Sequence, residues 1–515
     1  MRRGTRILLW TTLAAVVVAA AGIVYLLTVP PPLERWLQDR LLLALREHYQ
    51  TEVKLDNLRI TLIPSFYASA DNFVLPNRSD RELPPLITAH HLVIQANVMQ
   101  LLRTPVRITT LRIDGMEIRV APKRQQPAQS AKASPRRHTH FANFLIDRVE
   151  ADGTMLYVMR RDPAREPMGF ELRRLSLRSA GFGQPMTFTA VLTNDIPPGL
   201  ITTAGRFGPW NFDQPSATAV DGHYDFEHAD LSVFSGISGI LSSQGDYSGM
   251  LQNIVVDGAT DTPDFQLDRG GEPVHLITKF HATVDGTNGN TYLQPVAAHF
   301  LKSDVVTNGE VVRRAGEKGK TISLDVDLQH AYVEDVLALA TKSHPPLLTG
   351  RLGMKAKLTL PPGREPVLRK MLLSGRFGVT GGNFSSKKIS NTLDSLSRRG
   401  QGKPNDTSIT NVASEFRGDF TLRNSTVRFS RLQFTVPGVA AQMNGSYVLK
   451  DEELNFLGDV RLDASMSHTM TGAKRWLLAP FDPLFMKHGA GTWLPVTVTG
   501  TRAHPAVKLQ MNKLL

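Results

Sequence analysis

Hydrophobic and polar residues alternate along much of this chain. In RLQFTVPGVAAQMNGSYVL, residues 431–449, the apolar positions fall on every second residue on both sides of a Val-Pro-Gly turn. These positions are Leu432, Phe434, Val436, Val439, Ala441 and Met443. A period of two is typical of a strand with two different faces, because successive side chains point to opposite sides. The segment therefore predicts a β-hairpin with one apolar face and one polar face.

The same alternation recurs in other segments, including VHLITKFHATVDG, TISLDVDLQ, LGMKAKLTL and LNFLGDVRLDA. Their apolar positions include Ile322, Leu324, Val326, Leu352, Met354 and Leu358. The strands do not alternate with helices of comparable length, which argues against a parallel α/β sheet. We expect a mainly β protein with a long, curled, largely antiparallel sheet. The apolar face can close as a filled sandwich or line an open groove, and alternation is the same in both cases.

A few segments depart from the strand pattern. Short helices are predicted in LERWLQDRLLLALREHY, HADLSVFSGISGILSS, VEDVLALATK, SKKISNTLDSLSRR and MTGAKRWLLAPFDPLF, although glycines weaken the second of these. Within the strands, the Asp-Gly pairs at 114–115 and 152–153 predict hairpin turns.

The first segment predicts a membrane anchor. Residues 7–29 carry no charge and follow a basic tip with Arg2, Arg3 and Arg6. A run of this length crosses a hydrocarbon core of about 30 Å. The anchor begins at Ile7 and ends at Val29, with Trp10 and Tyr25 toward its two ends, where interfacial aromatic residues often lie. A cleaved signal peptide is the alternative, but its apolar region is usually shorter. The arginines place the N-terminus in the cytoplasm and the bulk of the chain in the periplasm.

Composition narrows the choice of partners. The chain has 515 residues and a formal net charge of +12, but its basic residues are spread through the strands and form no nucleic-acid module. Cysteine is absent, which excludes disulfides, Cys-based zinc sites and thiol catalysis. Residues 121–140 lack periodicity, are rich in Pro, Gln, Ser and basic residues, and predict a loop or insert.

We find no catalytic constellation in the sequence. The glycines of RRAGEKGKT do not have the spacing of a phosphate-binding loop, because Arg314 stands where the leading glycine belongs. The best metal candidate is a cluster of His223, Asp225, His228 and Asp230, but a solvated strand end explains it better. We therefore expect a protein that is not an enzyme, with no metal and no cofactor.

Several phrases of the chain resemble the AsmA-like family of diderm bacteria. The opening strands TEVKLDNLRITLIPSFYASADNFVLPN and the later LVIQANVMQLLRTPVRITTLRIDGMEIRV carry the first part of the likeness. FTVPGVAAQMNGSYVL, GAGTWLPVTVTGT and HPAVKLQM carry the distal part. One departure is Gln50-Thr51, where a glycine is expected before the first strand. The resemblance divides the chain into an anchor at 1–29, an N-terminal helix and first strands at 30–120, the loop at 121–140 and an elongated periplasmic sheet at 141–515.

The resemblance implies a sheet whose apolar concave side holds the acyl chains of phospholipid. Family members contribute to outer-membrane biogenesis, so we expect a protein anchored in the inner membrane that binds phospholipid or helps to move it between membranes. The candidate groove residues are the twelve apolar positions named above. The main alternative is a scaffold or assembly factor for outer-membrane or other envelope proteins, which carries no lipid. An envelope hydrolase is a third possibility, and it would need the His223 cluster.

Overall fold

The computed structural model describes residues 54–510, apart from 62–64, 77–83, 86, 102–105, 121–143, 159–167, 182–183, 196, 210–214, 235, 268–270, 315–316, 318, 341, 343, 364, 472–478, 480–481, 487–490 and 502–503. The predicted anchor, the helix that follows it and the predicted loop at 121–140 lie outside the described residues. Among the helices that the structure describes, none has the length and apolar character needed to cross a membrane.

The chain divides into two compact units. Unit 1 comprises Met1–Asp195 and Leu200–Tyr224, and unit 2 comprises Ile196–Gly199 and Asp225–Leu515. Unit 1 contains the strands β1 Lys54–Thr61, β2 Phe66–Leu75, β3 Ile87–Ala96, β4 Val106–Val120, β5 Phe144–Val158, β6 Met168–Gly181 and β7 Met186–Asp195. Neighbours in this series pair in antiparallel fashion, except that β4 and β5 are parallel. β8 Pro198–Phe207 and β9 Ala219–Asp230 contribute residues to both units.

Unit 2 contains the remaining strands, which are β10 Ile237–Ser238, β11 Ile240–Met250, β12 Asn253–Leu267, β13 Val274–Val284, β14 Thr291–Phe300, β15 Ser303–Val312, β16 Thr321–Tyr332, β17 Leu348–Leu360, β18 Leu372–Phe384, β19 Ser414–Arg423, β20 Thr426–Val436, β21 Val439–Val448, β22 Glu453–Leu462, β23 Thr492–Thr501 and β24 Pro505–Leu509. From β11 to β24, each strand pairs antiparallel with the next one along the chain. The result is a continuous antiparallel meander.

Helices are few and short. They are α1 Val98–Leu101, α2 Val333–Ala340, α3 Val367–Lys370, α4 Lys387–Gly400 and α5 Asp482–Phe485, with 3₁₀ turns at Pro215–Ala217, Leu231–Val233 and Met466–Thr469. The predicted helices in VEDVLALATK and SKKISNTLDSLSRR are confirmed as α2 and α4. In MTGAKRWLLAPFDPLF, the described helical residues are those of α5, and residues 472–478 lie outside the described part.

The prediction of a helix over residues 228–243 is wrong. This stretch consists of the end of β9, a 3₁₀ turn, β10 and the start of β11. The carboxylate of Asp230 accepts a 2.8 Å hydrogen bond from the backbone N–H of Ser232, which caps the short turn. Gly236 and Gly239 then adopt positive φ angles of 97° and 132°, a conformation that ends any helix. The helical periodicity of this segment is therefore broken by its glycines.

The two Asp-Gly pairs are not hairpin turns, which corrects a second prediction. β4 and β5 each run straight through the pair, with Asp114 beside Asp152 in the parallel register. Gly115 and Gly153 both have a φ of +62°. At Gly115 a Cβ would lie 2.6 Å from Nδ1 of His90, so the neighbouring strand also requires glycine there. A single left-handed residue can kink a strand without reversing it, and the sequence signal is the same in both cases.

The fold class is confirmed in its coarser form. The described residues form a mainly β protein with a long, mostly antiparallel arrangement of strands and few helices. The hairpin of residues 431–449 is also confirmed, since β20 and β21 are joined at Pro437 and Gly438 and place Val436 opposite Val439. Gly438 has a φ of +82°, which explains why the turn ends in glycine.

Candidate functional site

One face of strands β16–β23 carries four rows of apolar side chains, which we call the apolar rows. Each row runs across the strands through directly paired residues, and Gly occupies some of the positions. The first row is Leu324, Leu358, Leu373, Leu422, Val427, Tyr447 and Leu454. The second is Val326, Ala356, Gly375, Phe420, Phe429, Gly445, Phe456 and Val498. The third is Leu328, Met354, Phe377, Gly418, Leu432, Met443, Gly458 and Val496. The fourth is Ala331, Leu352, Val379, Phe416, Phe434, Ala441, Val460 and Leu494.

Phenylalanine and glycine alternate across the middle of this face. Phe377 is opposite Gly418, and Phe429 is opposite Gly445. Missing side chains at the glycines leave room for the large rings of their neighbours. The rings also contact one another, with centroids 6.0 Å apart for Phe377 and Phe420 and 5.9 Å apart for Phe429 and Phe456. Edge-to-face and tilted ring pairs of this kind stabilise a sheet face beyond the burial of their area.

Helix α2 covers the apolar rows where β16 ends and β17 begins. Its Val333 and Val336 pack on a buried cluster that includes Leu328, Leu352 and Val379. The helix is held in place by Asp335, a carboxylate with 4% of its surface exposed. Its Oδ2 accepts hydrogen bonds from the backbone N–H of Lys302 at 2.9 Å and from the Ser303 hydroxyl at 2.7 Å. This end of the face is therefore closed.

Helix α4 covers the neighbouring part of the same end in a similar way. Its Leu396 packs on the buried cluster of Val436, Val439 and Leu462. Buried Asp394 accepts hydrogen bonds from the backbone N–H groups of Asn411 at 3.1 Å and Val412 at 3.0 Å, one on each carboxylate oxygen. A further polar contact joins α4 to the turn after β20, since the Ser397 hydroxyl donates to the Pro437 carbonyl at 2.7 Å. The two helices thus close the same ends of their strands.

Beyond the helices, the apolar rows keep partial exposure. Leu324, Leu358 and Leu373 in the first row are half-buried, as are Phe377, Leu432 and Met443 in the third. The two fully buried apolar clusters described above both lie under helices. Within the part of the chain that the structure describes, no second sheet layer fills the space over the half-buried residues to the burial that is typical of a core. The arrangement is an apolar strip that helices cover at one end. Along the rest it is partly exposed, although Ala356, Leu422, Phe456 and Val496 are buried there as well.

The opposite face of the same strands is polar and ionic. Cross-strand ion pairs join Lys355 to Asp327 at 2.9 Å and Lys357 to Asp325 at 3.6 Å. A hydrogen bond from the Gln329 side chain and the contact with Lys355 hold the pKa of Asp327 below its ordinary value. Histidine–carboxylate pairs extend this face, with His281 2.6 Å from Asp257 and His275 2.7 Å from Asp261. This polar face is suited to contact with water, and the apolar rows lie on the other side of the same strands.

All the groove candidates from the sequence lie on the apolar face, but they fall into two groups. Ile322, Leu324, Val326, Met354, Leu358, Leu432, Phe434 and Met443 are half-buried, whereas Leu352, Val436, Val439 and Ala441 are buried. Three members of the second group belong to the clusters beneath the helices. The sequence did not single out Phe377, Phe416, Phe420 and Phe429, the rings that fill the centre of the face. Their alternation with glycine across β18–β21 is the signal that could have identified them.

The histidines and carboxylates of β9 do not converge on one point. His223 is exposed, Asp230 caps the 3₁₀ turn that follows, and His228 has a φ of +56° at the strand end. Across the described residues, no group of three His, Asp or Glu side chains has the arrangement of a metal site. The predicted membrane anchor residues Ile7, Trp10, Tyr25 and Val29 lie outside the described part.

Comparisons with known proteins identify no relative. No family model matches the chain, and neither a curated protein nor a solved structure matches it.

Proposed function

We propose that this protein is a membrane-anchored, AsmA-like lipid-binding protein of the bacterial periplasm. Its role would be to bind phospholipid, or to help move it between the inner and outer membranes, with the acyl chains lying on the apolar rows. The observation that carries the proposal is the strip of half-buried apolar side chains on β16–β23, which is closed by helices at one end only. A diacyl lipid needs an apolar surface for its tails and water for its headgroup.

Chemistry supports a binding role rather than catalysis. Acyl chains need contact with apolar side chains and exclusion of water, and neither requires a nucleophile, a metal or a cofactor. The rows supply Leu, Val, Met and Phe at regular spacing, and the strands that they cross have ten or more residues. At about 3.3 Å per residue such strands exceed 30 Å, which is longer than an acyl chain in one leaflet of a bilayer. Lipid movement would then be passive or driven by envelope partners.

Site-specific photo-crosslinking in the full-length chain tests the proposal. A photoreactive phenylalanine analogue is placed at Met443 or Leu432, which lie on the apolar rows, and at their neighbours Asn444 and Gln433, which point to the other face. After irradiation in cells, mass spectrometry of the purified protein reports any added phospholipid. We expect lipid adducts at 443 and 432, and a yield at least tenfold lower at 444 and 433.

Position 352 tests whether lipid adducts form only where the apolar rows are exposed. Leu352 belongs to the apolar rows but is buried under α2, so its replacement should give little lipid adduct. Equal lipid yields on both faces would contradict the proposal. Adducts to envelope proteins in place of lipid at Met443 would favour the alternative, a scaffold for outer-membrane proteins.

A further inference from the structure

Basic and apolar side chains share an exposed surface at the end of β17–β20 that lies away from helices α2 and α4. We call it the basic end, and it comprises Lys357, Leu368, Arg369, Leu372, Arg423 and Arg428. The loop with α3 joins β17 to β18 here, and the backbone N–H of Ser425 donates to the carbonyl of Leu368 at 3.3 Å. A cavity of about 590 Å³ opens on this surface between Lys357, Leu372, Arg423 and Arg428.

Apart from Lys357, which lies 3.6 Å from Asp325, the cations at the basic end lack the ion-pair partners found on the rest of this face. Arg369, Arg423 and Arg428 are exposed and make no ion pair within the described residues. One row further along the strands, Lys355 pairs with Asp327 and Arg431 with Asp419. Carboxylates also lie close by, since Glu365 is in the same loop and Asp451, Glu452 and Glu453 follow Leu449, whose N–H donates to the Ser425 carbonyl. The three arginines without an ion pair still favour an anionic partner.

Exposed leucines distinguish this surface from a site for a small anion. Leu368 is 45% exposed and Leu372 is 41% exposed, both above the exposure of the half-buried residues of the apolar rows. Neither side chain adds anything to the binding of a phosphate ion, and neither stacks on a nucleic-acid base. Large apolar side chains surrounded by cations are instead suited to the interface of an anionic bilayer. There the apolar side chains enter the acyl region and the cations contact phosphates.

A second segment brings further apolar exposure to the same place. The backbone at Gly236 comes so close to α3 that a Cβ there would lie 3.1 Å from Cγ2 of Val367. The 3₁₀ turn just before Gly236 carries Val233, which is 47% exposed, and is followed by Phe234, which is 38% exposed. Two separate parts of the chain therefore expose apolar side chains near α3, the helix that carries Arg369.

From these observations we propose that the basic end docks on the surface of a bilayer that contains anionic phospholipid. The arginines contact lipid phosphates while Leu368 and Leu372 enter the interface. The proposal goes beyond the lipid-binding role of the apolar rows, because it concerns the place where the protein touches a membrane and holds whether or not the rows carry lipid. Each basic residue near an anionic surface strengthens binding by about fivefold, and salt weakens it.

Vesicle capture by the full-length protein tests the proposal. The protein is held by its own N-terminal segment in nanodiscs of neutral phosphatidylcholine, and vesicles of phosphatidylcholine with or without phosphatidylglycerol are added. We expect binding only to the vesicles with phosphatidylglycerol. The double variant Arg423→Gln/Arg428→Gln should bind them roughly 30-fold more weakly, because two charges are removed.

The matched control removes two exposed charges from the opposite end of the strands. Arg351 at the start of β17 and Lys388 in α4 are both exposed, and Arg351→Gln/Lys388→Gln should stay within about twofold of the wild type. Equal losses in the two double variants, or equal binding to both kinds of vesicle, would overturn the proposal. Displacement of the vesicles by inorganic phosphate, but not by chloride at the same ionic strength, would also overturn it by identifying a phosphate-ion site.

Because the chain has no cysteine, a single introduced thiol can report insertion directly. Leu368→Cys and Leu347→Cys are labelled with a polarity-sensitive dye; the two leucines are 45% and 46% exposed, and Leu347 precedes the opposite end of β17. We expect a blue shift on addition of phosphatidylglycerol vesicles at 368 and none at 347. A shift at 347 alone, or at neither position while vesicles bind, contradicts docking through the basic end. Lipid crosslinking at Met443 is unaffected by either outcome, so the two proposals fail separately.

Discussion

The ring of Phe377 lies over Gly418 on the neighbouring strand. A Cβ at position 418 would be 2.8 Å from Cε1 of Phe377 and 3.1 Å from the carbonyl oxygen of Arg431. The space that a side chain would occupy is therefore taken by the ring, which in turn contacts Phe420 and Phe429. Glycine usually weakens a strand, but here the ring of its cross-strand neighbour restores the packing.

Gly418→Ala should destabilise the protein. The added methyl group has to displace the Phe377 ring, and overpacking of this kind costs about 1–3 kcal/mol. Gly378→Ala is the matched control, because its Cβ would meet no atom closer than 3.8 Å. With ordinary space available, that change should be neutral or stabilise by about 0.4–1 kcal/mol. Urea unfolding of both variants measures the difference, and equal stabilities would show that the ring moves without cost.

The two buried carboxylates that hold the helices should respond differently to amidation. Both hydrogen bonds of Asp335 reach the same oxygen, Oδ2, so an asparagine can keep them with its single carbonyl oxygen. Asp394 uses one oxygen for each bond, so an asparagine must turn an N–H group toward a backbone donor. We expect Asp394→Asn to lower the free energy of unfolding by about 1–3 kcal/mol and Asp335→Asn by less than about 1 kcal/mol. The reverse order in thermal or urea unfolding would contradict this geometry.

The sequence predicted the hairpin of β20 and β21 and helices α2 and α4 because each of these elements is set by local pattern. Alternation fixes the faces of a strand, and a helix shows its own period. The Asp-Gly pairs at 114–115 and 152–153 were misread because a turn and a kinked strand need the same positive φ. What distinguishes them is the neighbouring chain, here the parallel pairing of β4 and β5. Pairing between strands cannot be predicted from the sequence of one strand alone.

The sequence predicted which residues share the apolar face, but not which of them are buried and which are partly exposed. Val436 and Leu432 have the same place in the alternation, yet Val436 is buried under α4 whereas Leu432 is half-buried. The difference depends on where a helix from a distant part of the sequence packs. The phenylalanines at the centre of the face are likewise arranged by pairing across strands, and the unpaired arginines of the basic end come from two different strands and a loop.

Asp327 should make stability depend on pH in the acid range. Its pKa is lowered on folding by the hydrogen bond from Gln329 and the contact with Lys355. A carboxyl group of this kind stabilises the folded state above its unfolded pKa of about 3.9, and the contribution disappears as the pH falls through the lower folded value. We expect Asp327→Asn to be less stable than the wild type at pH 7 and equal to it at about pH 2.

Asp325→Asn is the control for this prediction. Its carboxylate lies on the same strand face but is 64% exposed and 3.6 Å from Lys357, and exposed pairs contribute little. Urea unfolding over the same pH range should therefore give nearly parallel curves for this variant and the wild type. A gap between Asp327→Asn and the wild type that stays constant with pH would mean that the carboxylate acts through packing rather than through its charge.

A single charge on the apolar rows should block lipid contact if acyl chains lie there. Leu432 is the cross-strand partner of Met443, and Leu432→Glu places a carboxylate beside the photoreactive group at 443. An ionised carboxylate in contact with hydrocarbon is strongly unfavourable, so the lipid adduct at 443 should fall by at least tenfold. Gln433→Glu adds the same charge to the polar face one residue away and should leave the yield unchanged. Because Leu432 is half-buried, the variant should remain folded, which urea unfolding verifies. An unchanged adduct in folded Leu432→Glu would show that lipid does not pass along this strip, and an equal loss in both variants would attribute the effect to charge in general.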